Sequence, residues 1–159
     1  MDKSMSLDKL DRMILKCLVE NSRVNFTTIG ERVGLSTSSV IERVRRLEAS
    51  GMIRQYTALL DLDALGRGLT AFISVRLDHP KYNGDFEDRI RRHPDIVECH
   101  YIAGNVDYLL KIHTDDSKSL EKLLTYIKSI EGAAWTQTML VLSTVKNEQA
   151  ALAALERRD

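Results

Sequence analysis

A polar and basic stretch between positions 36 and 46 has the residue types needed to contact nucleic acid. On a helical wheel, Val40, Val44 and Leu47 fall within about 60° of one another and form an apolar stripe. The polar side chains lie away from that stripe. Small side chains at the start of such a helix can approach base edges, and arginines can bind phosphates or guanine. The candidate DNA-binding residues are Ser36, Thr37, Ser38, Ser39, Glu42, Arg43, Arg45 and Arg46.

The same pattern also fits an amphipathic helix whose charged face is only solvated, so the flanking elements decide between the two. A first helix is predicted from Leu7 to Leu18, with Ser6 as its cap and a break at residues 21–23. A second helix is predicted to begin after the cap Asn25 and to end at the turn residue Gly34. The third is capped by Ser36 and ends near Ser50, just before Gly51. This order predicts a helix-turn-helix and favours DNA binding.

Composition and charge indicate two modules. The chain has 159 residues and a mass of 18.1 kDa, with 43% hydrophobic and 29% charged residues, which supports a packed core. The formal net charge is zero, because 23 basic residues balance 23 acidic ones. Residues 1–60 carry ten bases and seven acids, so they are net basic and the rest is net acidic. This asymmetry suggests modules with different partners.

Several functional classes are disfavoured. No apolar run approaches the roughly 18–20 residues that span a bilayer, and the polar N-terminus is unlike a signal peptide. A cytoplasmic location is therefore expected. Two cysteines make neither a disulfide framework nor a four-cysteine zinc site, and phosphate-binding glycine motifs are absent. We predict no catalytic residue, no metal ligand and no cofactor.

The second module alternates strands and helices. Strands are predicted at 69–77, 96–102, 107–113 and 134–145, with helices at 84–92, from the cap Ser117 onward, and at 147–157. The order β-α-β-β-α-β is the ferredoxin-like arrangement. The predicted fold class is α+β, with a winged-helix-like helix-turn-helix domain at 1–54 and a ferredoxin-like domain at 69–159. Residues 55–68 between them are predicted to be a linker strand, at 55–60, followed by a loop.

Two stretches resemble one known family. GLSTSSVIERVRRLEASGMIRQYTALLD, residues 34–61, resembles the DNA-binding domain of the leucine-responsive, or Lrp/AsnC, transcription regulators. Glu98-Cys99-His100-Tyr101 with Gly104-x-x-Asp107-Tyr108-Leu109-Leu110, and the run from Gly132 to Thr138, resemble the effector domain of that family. The resemblance extends from about Leu7 to Lys146. It departs at Thr37, Asn105 and Ala133, where the family usually has proline, aspartate and valine.

The resemblance implies a double-stranded DNA partner and a homodimer whose effector domains pair their sheets and assemble into tetramers, octamers or larger discs. It also implies an amino-acid effector bound near the glycine-aspartate hairpin. A zwitterion needs a carboxylate for its ammonium group and N–H donors for its carboxylate. Asp107 is the candidate ammonium partner, although an aspartate there could instead stabilise the turn. The implied effector-binding residues are Tyr101, Ala103, Gly104, Asn105, Asp107, Thr136 and Thr138.

Two functions follow as hypotheses. The first is a sequence-specific transcription regulator whose assembly and DNA affinity respond to a small molecule, for which the change Arg46→Ala is expected to weaken DNA binding. The second is a metabolite-binding or enzymatic ferredoxin-like protein whose N-terminal helices serve only for dimerisation, since the fold alone does not determine function. The second requires a catalytic constellation, and the sequence offers none.

Overall fold

The structure, a computed structural model, describes residues 6–147 and Leu155. Residues 6–59, together with 146, 147 and Leu155, form one compact unit, and residues 60–145 form a second. The boundary lies inside the predicted linker of 55–68. Leu155 belongs with the first unit, whereas the sequence analysis placed it in the second domain.

Three helices build the first unit: α1 at Lys9–Glu20, α2 at Phe26–Val33 and α3 at Thr37–Ala49. The predicted cap Ser6 is wrong, because Asp8 caps α1. The Asp8 carboxylate accepts from the Asp11 N–H at 2.7 Å, and the Asp11 carboxylate accepts from the Asp8 N–H at 3.3 Å. This reciprocal capping box satisfies two backbone donors, which fixes the start of the helix two residues later than expected.

The turn between α2 and α3 follows its sequence signals. Asn25 and Ser36 cap the two helices as predicted, through the Thr28 and Ser39 N–H groups. Gly34 adopts a φ of 72°, which favours glycine. Gly30 allows a second close approach, since a Cβ there would lie 2.5 Å from the Leu35 carbonyl oxygen. The helix-turn-helix is confirmed.

A shared apolar core holds these helices together. Val40, Val44 and Leu47 of α3 are buried as predicted. They complete a cluster with α1 and α2, whose other members are Ile14, Leu15, Cys17, Leu18, Ile29 and Val33.

The strand predicted at residues 55–60 is not formed within the single chain. These residues are exposed and carry no strand, because a strand requires a neighbouring strand and the described chain provides none there. The following loop ends at Arg67, whose guanidinium pairs with Asp95 and donates to the His113 carbonyl oxygen at 2.6 Å. The loop is therefore fastened to the second unit.

The second unit is a four-stranded antiparallel sheet with two helices. The strands are β1 at Leu69–Leu77, β2 at Ile96–Tyr101, β3 at Tyr108–Thr114 and β4 at Ala133–Leu140. A 3₁₀ turn at Pro80–Tyr82 leads into α4 at Asn83–Arg92, and α5 spans Ser117–Lys128. The sheet order β2-β3-β1-β4 and the β-α-β-β-α-β succession confirm the ferredoxin-like arrangement.

One face of this sheet carries the core. Ala71, Ile73, Val75 and Leu77 of β1 are buried, and they form a cluster with Phe86 and Ile90 of α4 and Leu123 and Ile127 of α5. Because alternate residues of a strand point to opposite faces, the remaining β1 side chains lie on the face that α4 and α5 do not cover.

The end of β4 and the cap of α5 differ from prediction. Strand β4 ends at Leu140 rather than 145, because the residues after Val141 lack ladder partners among the described strands. Asp116 rather than Ser117 caps α5, since its carboxylate accepts from the Ser119 N–H at 2.8 Å. The predicted helix at 147–157 lies outside the described residues except at its position 147 and at Leu155, which is helical.

Candidate DNA interface and effector site

The outer face of α3 presents a compact polar surface. Ser38, Glu42 and Arg45 are exposed, on the side of the helix away from the buried stripe. At the start of the helix the Ser36 Oγ lies 3.0 Å from the Ser38 Oγ and 2.8 Å from the Ser39 Oγ. These hydroxyls and the adjacent backbone donors can exchange hydrogen bonds with phosphates or base edges.

Thr37 joins the two helices of the motif, because its Oγ1 donates to the Thr27 Oγ1 at 3.3 Å. Threonine therefore supplies a side-chain contact at the position where the family usually has proline. Both hydroxyls are exposed at the same edge of the helix-turn-helix.

Arg43 and Arg46 are held by two carboxylates at the start of α1. The Arg43 Nη1 donates to Asp8 at 2.6 Å and to Asp11 at 2.8 Å, and the Arg46 Nη2 donates to both Asp11 oxygens at 2.8 Å. The Asp11 side chain is 1% exposed, so its charge is compensated almost entirely by these arginines. The hydrogen bond from Arg43 holds the pKa of Asp8 below its ordinary value. We call Asp8, Asp11, Arg43 and Arg46 the acid–arginine cluster.

The structure thus divides the predicted DNA-binding residues into two groups. Arg45 lies on the outer face with the serines and Glu42, whereas Arg43 and Arg46 also join α3 to α1 inside the unit. Among the described residues, no ion pair is formed by Arg45. Sequence analysis missed Asp8 and Asp11. Their three-residue capping spacing was the available signal.

The predicted effector residues gather at one end of the second unit's sheet. Tyr101 ends β2, the turn with Ala103, Gly104 and Asn105 follows, and β4 begins at that same end. The pairing places Tyr101, Tyr108, Val75 and Thr136 in one row across the four strands. Tyr101 and Thr136 lie on opposite edge strands, about three strand spacings or roughly 14 Å apart. Thr138 lies two residues further along β4.

Asp107 joins the hairpin to the end of β1. Its Oδ2 accepts from the Leu77 N–H at 2.7 Å, and its N–H donates to the Val75 carbonyl oxygen at 2.9 Å. Asp107 therefore has a structural contact, although its carboxylate bonds the end of β1 and not, as the turn-stabilising alternative expected, its own hairpin. Among the described residues, no hydrogen bond reaches its Oδ1, so one carboxylate oxygen remains for a ligand.

The hairpin tip is open. Ala103, Gly104 and Asn105 are exposed, and a Cβ at Gly104 would meet nothing within 4 Å. Within the described chain, the N–H groups of Gly104 and Asn105 donate to no backbone acceptor. Beside the tip, the Tyr101 and Tyr108 rings lie 5.2 Å apart, and burial together with the hydrogen bond to Glu87 raises the pKa of Tyr108. The tip can therefore supply backbone donors, and of the two rings only Tyr101 is exposed.

Comparison with known proteins assigns both units. Residues 7–48 match the AsnC-type helix-turn-helix domain, and residues 70–151 match the Lrp/AsnC ligand binding domain. The chain belongs to the Lrp/AsnC family. It is thus a helix-turn-helix transcription regulator, as its relatives are named.

Those relatives match this regulator over nearly its whole length. The chain is 37% identical to the HTH-type transcriptional regulator FL11 of Pyrococcus horikoshii, over 88% of this chain and 92% of that protein. It is also 37% identical to the leucine-responsive regulatory protein of Escherichia coli K12, over 88% and 87% of the two chains. The crystal structure of a Neisseria meningitidis transcriptional regulator in complex with L-Met has a TM-score of 0.86 and 34% identity, over 90% and 94% of the chains.

Every one of these relatives is named as a regulator, which favours the first hypothesis over an enzymatic ferredoxin-like protein. In the described part of this regulator, no helix has the length and apolar character to cross a membrane.

The acid–arginine cluster generates a stability prediction. The change Asp11→Asn removes the buried carboxylate, leaves Arg43 with Asp8 alone and takes the charged partner from half-exposed Arg46, which we expect to cost about 2 kcal/mol. We expect faster amide hydrogen exchange in α1 and α3. We also expect a lower urea midpoint for the unfolding of those helices.

The matched control is Asp85→Asn, which removes the exposed pair between Asp85 and Arg89 on α4. Exposed i,i+4 pairs contribute about 0.3–0.5 kcal/mol. Equal effects of the two changes would show that the acid–arginine cluster does not hold α1 and α3 together.

Proposed function

We propose that this regulator binds double-stranded DNA as a symmetric homodimer, with α3 of each copy in the major groove, and that an amino acid changes its assembly or geometry. The observation that carries the DNA contact is the exposed face of Ser38, Glu42 and Arg45, which is separate from the acid–arginine cluster. Two such helices related by a dimer axis would bind a nearly palindromic site.

Arg45 is the sharpest test of the DNA contact. The change Arg45→Ala is expected to weaken binding at least about tenfold, because each copy would no longer bind one phosphate or guanine. The slope of log affinity against log salt should fall by about one for each phosphate that is no longer neutralised, and so by about two in a dimer. Fluorescence anisotropy on DNA from upstream of the regulator's own gene, with scrambled DNA as comparison, measures both.

The control Arg92→Ala removes an exposed arginine of α4 in the second unit. This change should leave both the affinity for DNA and the slope of log affinity against log salt unchanged. If Arg45→Ala behaved like this control, the proposed contact face would be wrong. Arg46→Ala is less informative, because it also removes a partner of buried Asp11.

The helix-free face of the sheet supports dimerisation. Phe72, Leu109, Trp135 and Met139 lie on that face, opposite the core shared with α4 and α5. Trp135 and Met139 remain 39% and 43% exposed. Two such faces can stack about 10 Å apart and bury these side chains, which is how antiparallel sheets commonly form a second core.

Met139 tests this assembly. In one chain it is partly exposed, so Met139→Glu should leave the fold intact while it places a charge in the interface. We expect the dimer to dissociate at least about tenfold more readily by sedimentation equilibrium. Thr125→Glu adds the same charge at an exposed position of α5 and should leave the dimer unchanged. A stable Met139→Glu dimer would contradict pairing through this face.

An amino acid fits the chemistry of the hairpin end. The Asp107 Oδ1 can accept from an ammonium group, and the Gly104 and Asn105 N–H groups can donate to a carboxylate. Because Tyr101 and Thr136 lie on opposite edges, we propose that a second copy completes the site. The L-Met complex of the Neisseria meningitidis relative supports an amino-acid ligand and makes L-Met the first probe.

Asp107→Asn separates the two roles of Asp107. The amide oxygen can still accept from the Leu77 N–H, so the hairpin should remain folded, whereas the negative charge for the ammonium group is removed. We expect L-Met, or whichever of the twenty amino acids shifts DNA affinity most, to bind at least about tenfold more weakly by calorimetry.

Asp78→Asn is the control, since Asp78 is an exposed carboxylate that follows β1 at the same sheet end. An unchanged response in Asp107→Asn would remove Asp107 from the site. A wild-type protein indifferent to all twenty amino acids would contradict the effector proposal while leaving the DNA contact untouched.

A further inference from the structure

The segment that enters the second unit is a compact turn. The Asp61 carboxylate closes its start, because it accepts from the Ala64 N–H at 3.0 Å, and three backbone hydrogen bonds of 2.8–3.2 Å complete the turn. A Cβ at Gly68 would lie 2.6 Å from the Asp63 Oδ1, so the chain passes close to that carboxylate as it leaves the turn. We call this segment, residues 61–68, the entry turn.

Arg67 fastens the entry turn to the end of the sheet opposite the hairpin. Its guanidinium pairs with Asp95 and donates to the His113 carbonyl oxygen at 2.6 Å, and its Nη1 lies 3.8 Å from the Asp115 Oδ1. The backbone there is itself tied, since the Asp95 carbonyl oxygen accepts from the His113 N–H at 3.0 Å. One side chain thus joins the turn to the start of β2 and the end of β3. We call Arg67, Asp95 and His113 the arginine latch.

Two central strands connect the arginine latch with the hairpin. Strands β1 and β3 pair without a break, from Leu69 opposite Thr114 to Val75 opposite Tyr108. The first pair adjoins the latch and the last adjoins Asp107. Six residue steps along β1 give a ladder roughly 20 Å long. The proposed effector residues therefore lie at one end of a continuous hydrogen-bonded ladder, and the entry turn is fastened at the other end.

The second crossing between the two units is held differently. The chain returns to the first unit after Val145. The Val141 N–H still donates to the Thr70 carbonyl oxygen at 2.9 Å, but the Leu142 and Val145 side chains that follow are 92% and 97% exposed. Side chains that do not pack against the sheet do not follow its movement. The entry turn is therefore the crossing whose position depends on the sheet.

We propose that Arg67 is a positioning residue for regulation, which couples the hairpin end of the effector unit to the DNA-binding unit through the entry turn. The proposal rests on the proposed function, in which DNA and the amino acid bind to different units. While the latch is closed, the chain leaves toward residues 55–60 in a direction fixed by β1 and β3. Without the guanidinium the turn keeps its own hydrogen bonds, but only Gly68 joins it to β1. Coupling requires an element that both sites bias, and the latch supplies it.

DNA is the first probe of the arginine latch, because coupling between two sites is reciprocal. The probe is a duplex that the wild-type protein binds in the anisotropy assay. Its binding should change the hydrogen exchange of the Leu77, Ile102 and Asp107 amides by at least about fivefold in wild type. In Arg67→Ala we expect the duplex still to bind, since α3 is unaltered, and the change at these amides to fall below about twofold.

The same variant reports on the latch without any ligand. A hydrogen bond to a charged group contributes enough to slow local opening about tenfold, so the amides of residues 65–67 should exchange about tenfold faster in Arg67→Ala. Circular dichroism should show the wild-type helix and strand content, because the hydrogen bonds of the sheet remain.

L-Met is the second probe. In wild type it should shift the affinity for DNA by at least about fivefold. Arg67→Ala should bind L-Met as tightly as wild type by calorimetry, but the shift in DNA affinity should fall below about twofold. A wild-type protein that responds to DNA at the hairpin amides and ignores all twenty amino acids would contradict the effector proposal and leave the latch in place.

The matched control is Arg89→Ala, which removes another arginine paired with an aspartate, Asp85, in the same unit. It should retain both responses. Asp95→Ala removes the other half of the latch and should reproduce Arg67→Ala, and the double variant should be no worse than either single one. Arg67→Lys keeps a charged donor for Asp95 and should restore part of the coupling. A full response to DNA in Arg67→Ala, or a wild-type protein without that response, would overturn the proposal.

Discussion

The buried carboxylate of Asp11 is the constraint on which the helix-turn-helix depends. A carboxylate that is 1% exposed is tolerated only when it is paired, and here two arginines of α3 supply the pairing. The pairing fixes the rotation of α3 against α1 as well as its position, because both partners lie on one flank of α3. That rotation directs Ser38, Glu42 and Arg45 outward. The surface proposed for DNA is therefore positioned by an interaction on the adjacent flank of the same helix.

In the second unit, strand β1 has the corresponding role. It lies between β3 and β4, and its buried side chains form the core with both helices. Its end also receives the Asp107 carboxylate through the Leu77 N–H. One strand thus connects the core, the helix-free face and the hairpin. A ligand bound to Asp107, as proposed above, would contact a residue that is hydrogen-bonded to β1, and the other face of β1 carries Phe72 of the proposed dimer interface.

Local signals in the sequence were enough to predict most elements. Asn25, Gly34 and Ser36 act on backbone groups within a few residues, so their types and spacing predicted the turn correctly. The predicted cap of α1, Ser6, was wrong because serine and aspartate both suit that role. Only the reciprocal contact with Asp11 selects Asp8. The strand predicted at 55–60 is not formed within the single chain, because strand composition is a local property whereas a strand also needs a partner strand.

Contacts between distant residues could not be predicted in this way. The helical wheel placed Arg46 on a polar face, but it gave no sign that a carboxylate 35 residues earlier would take its guanidinium. Likewise, the family motif singled out Asp107, whereas its partner at Leu77 lies 30 residues away. In both cases a residue predicted for function also has a structural partner. Replacing such a residue therefore tests function only when the new side chain keeps the contact with that structural partner. Asparagine at position 107 keeps the contact, whereas alanine at position 46 does not.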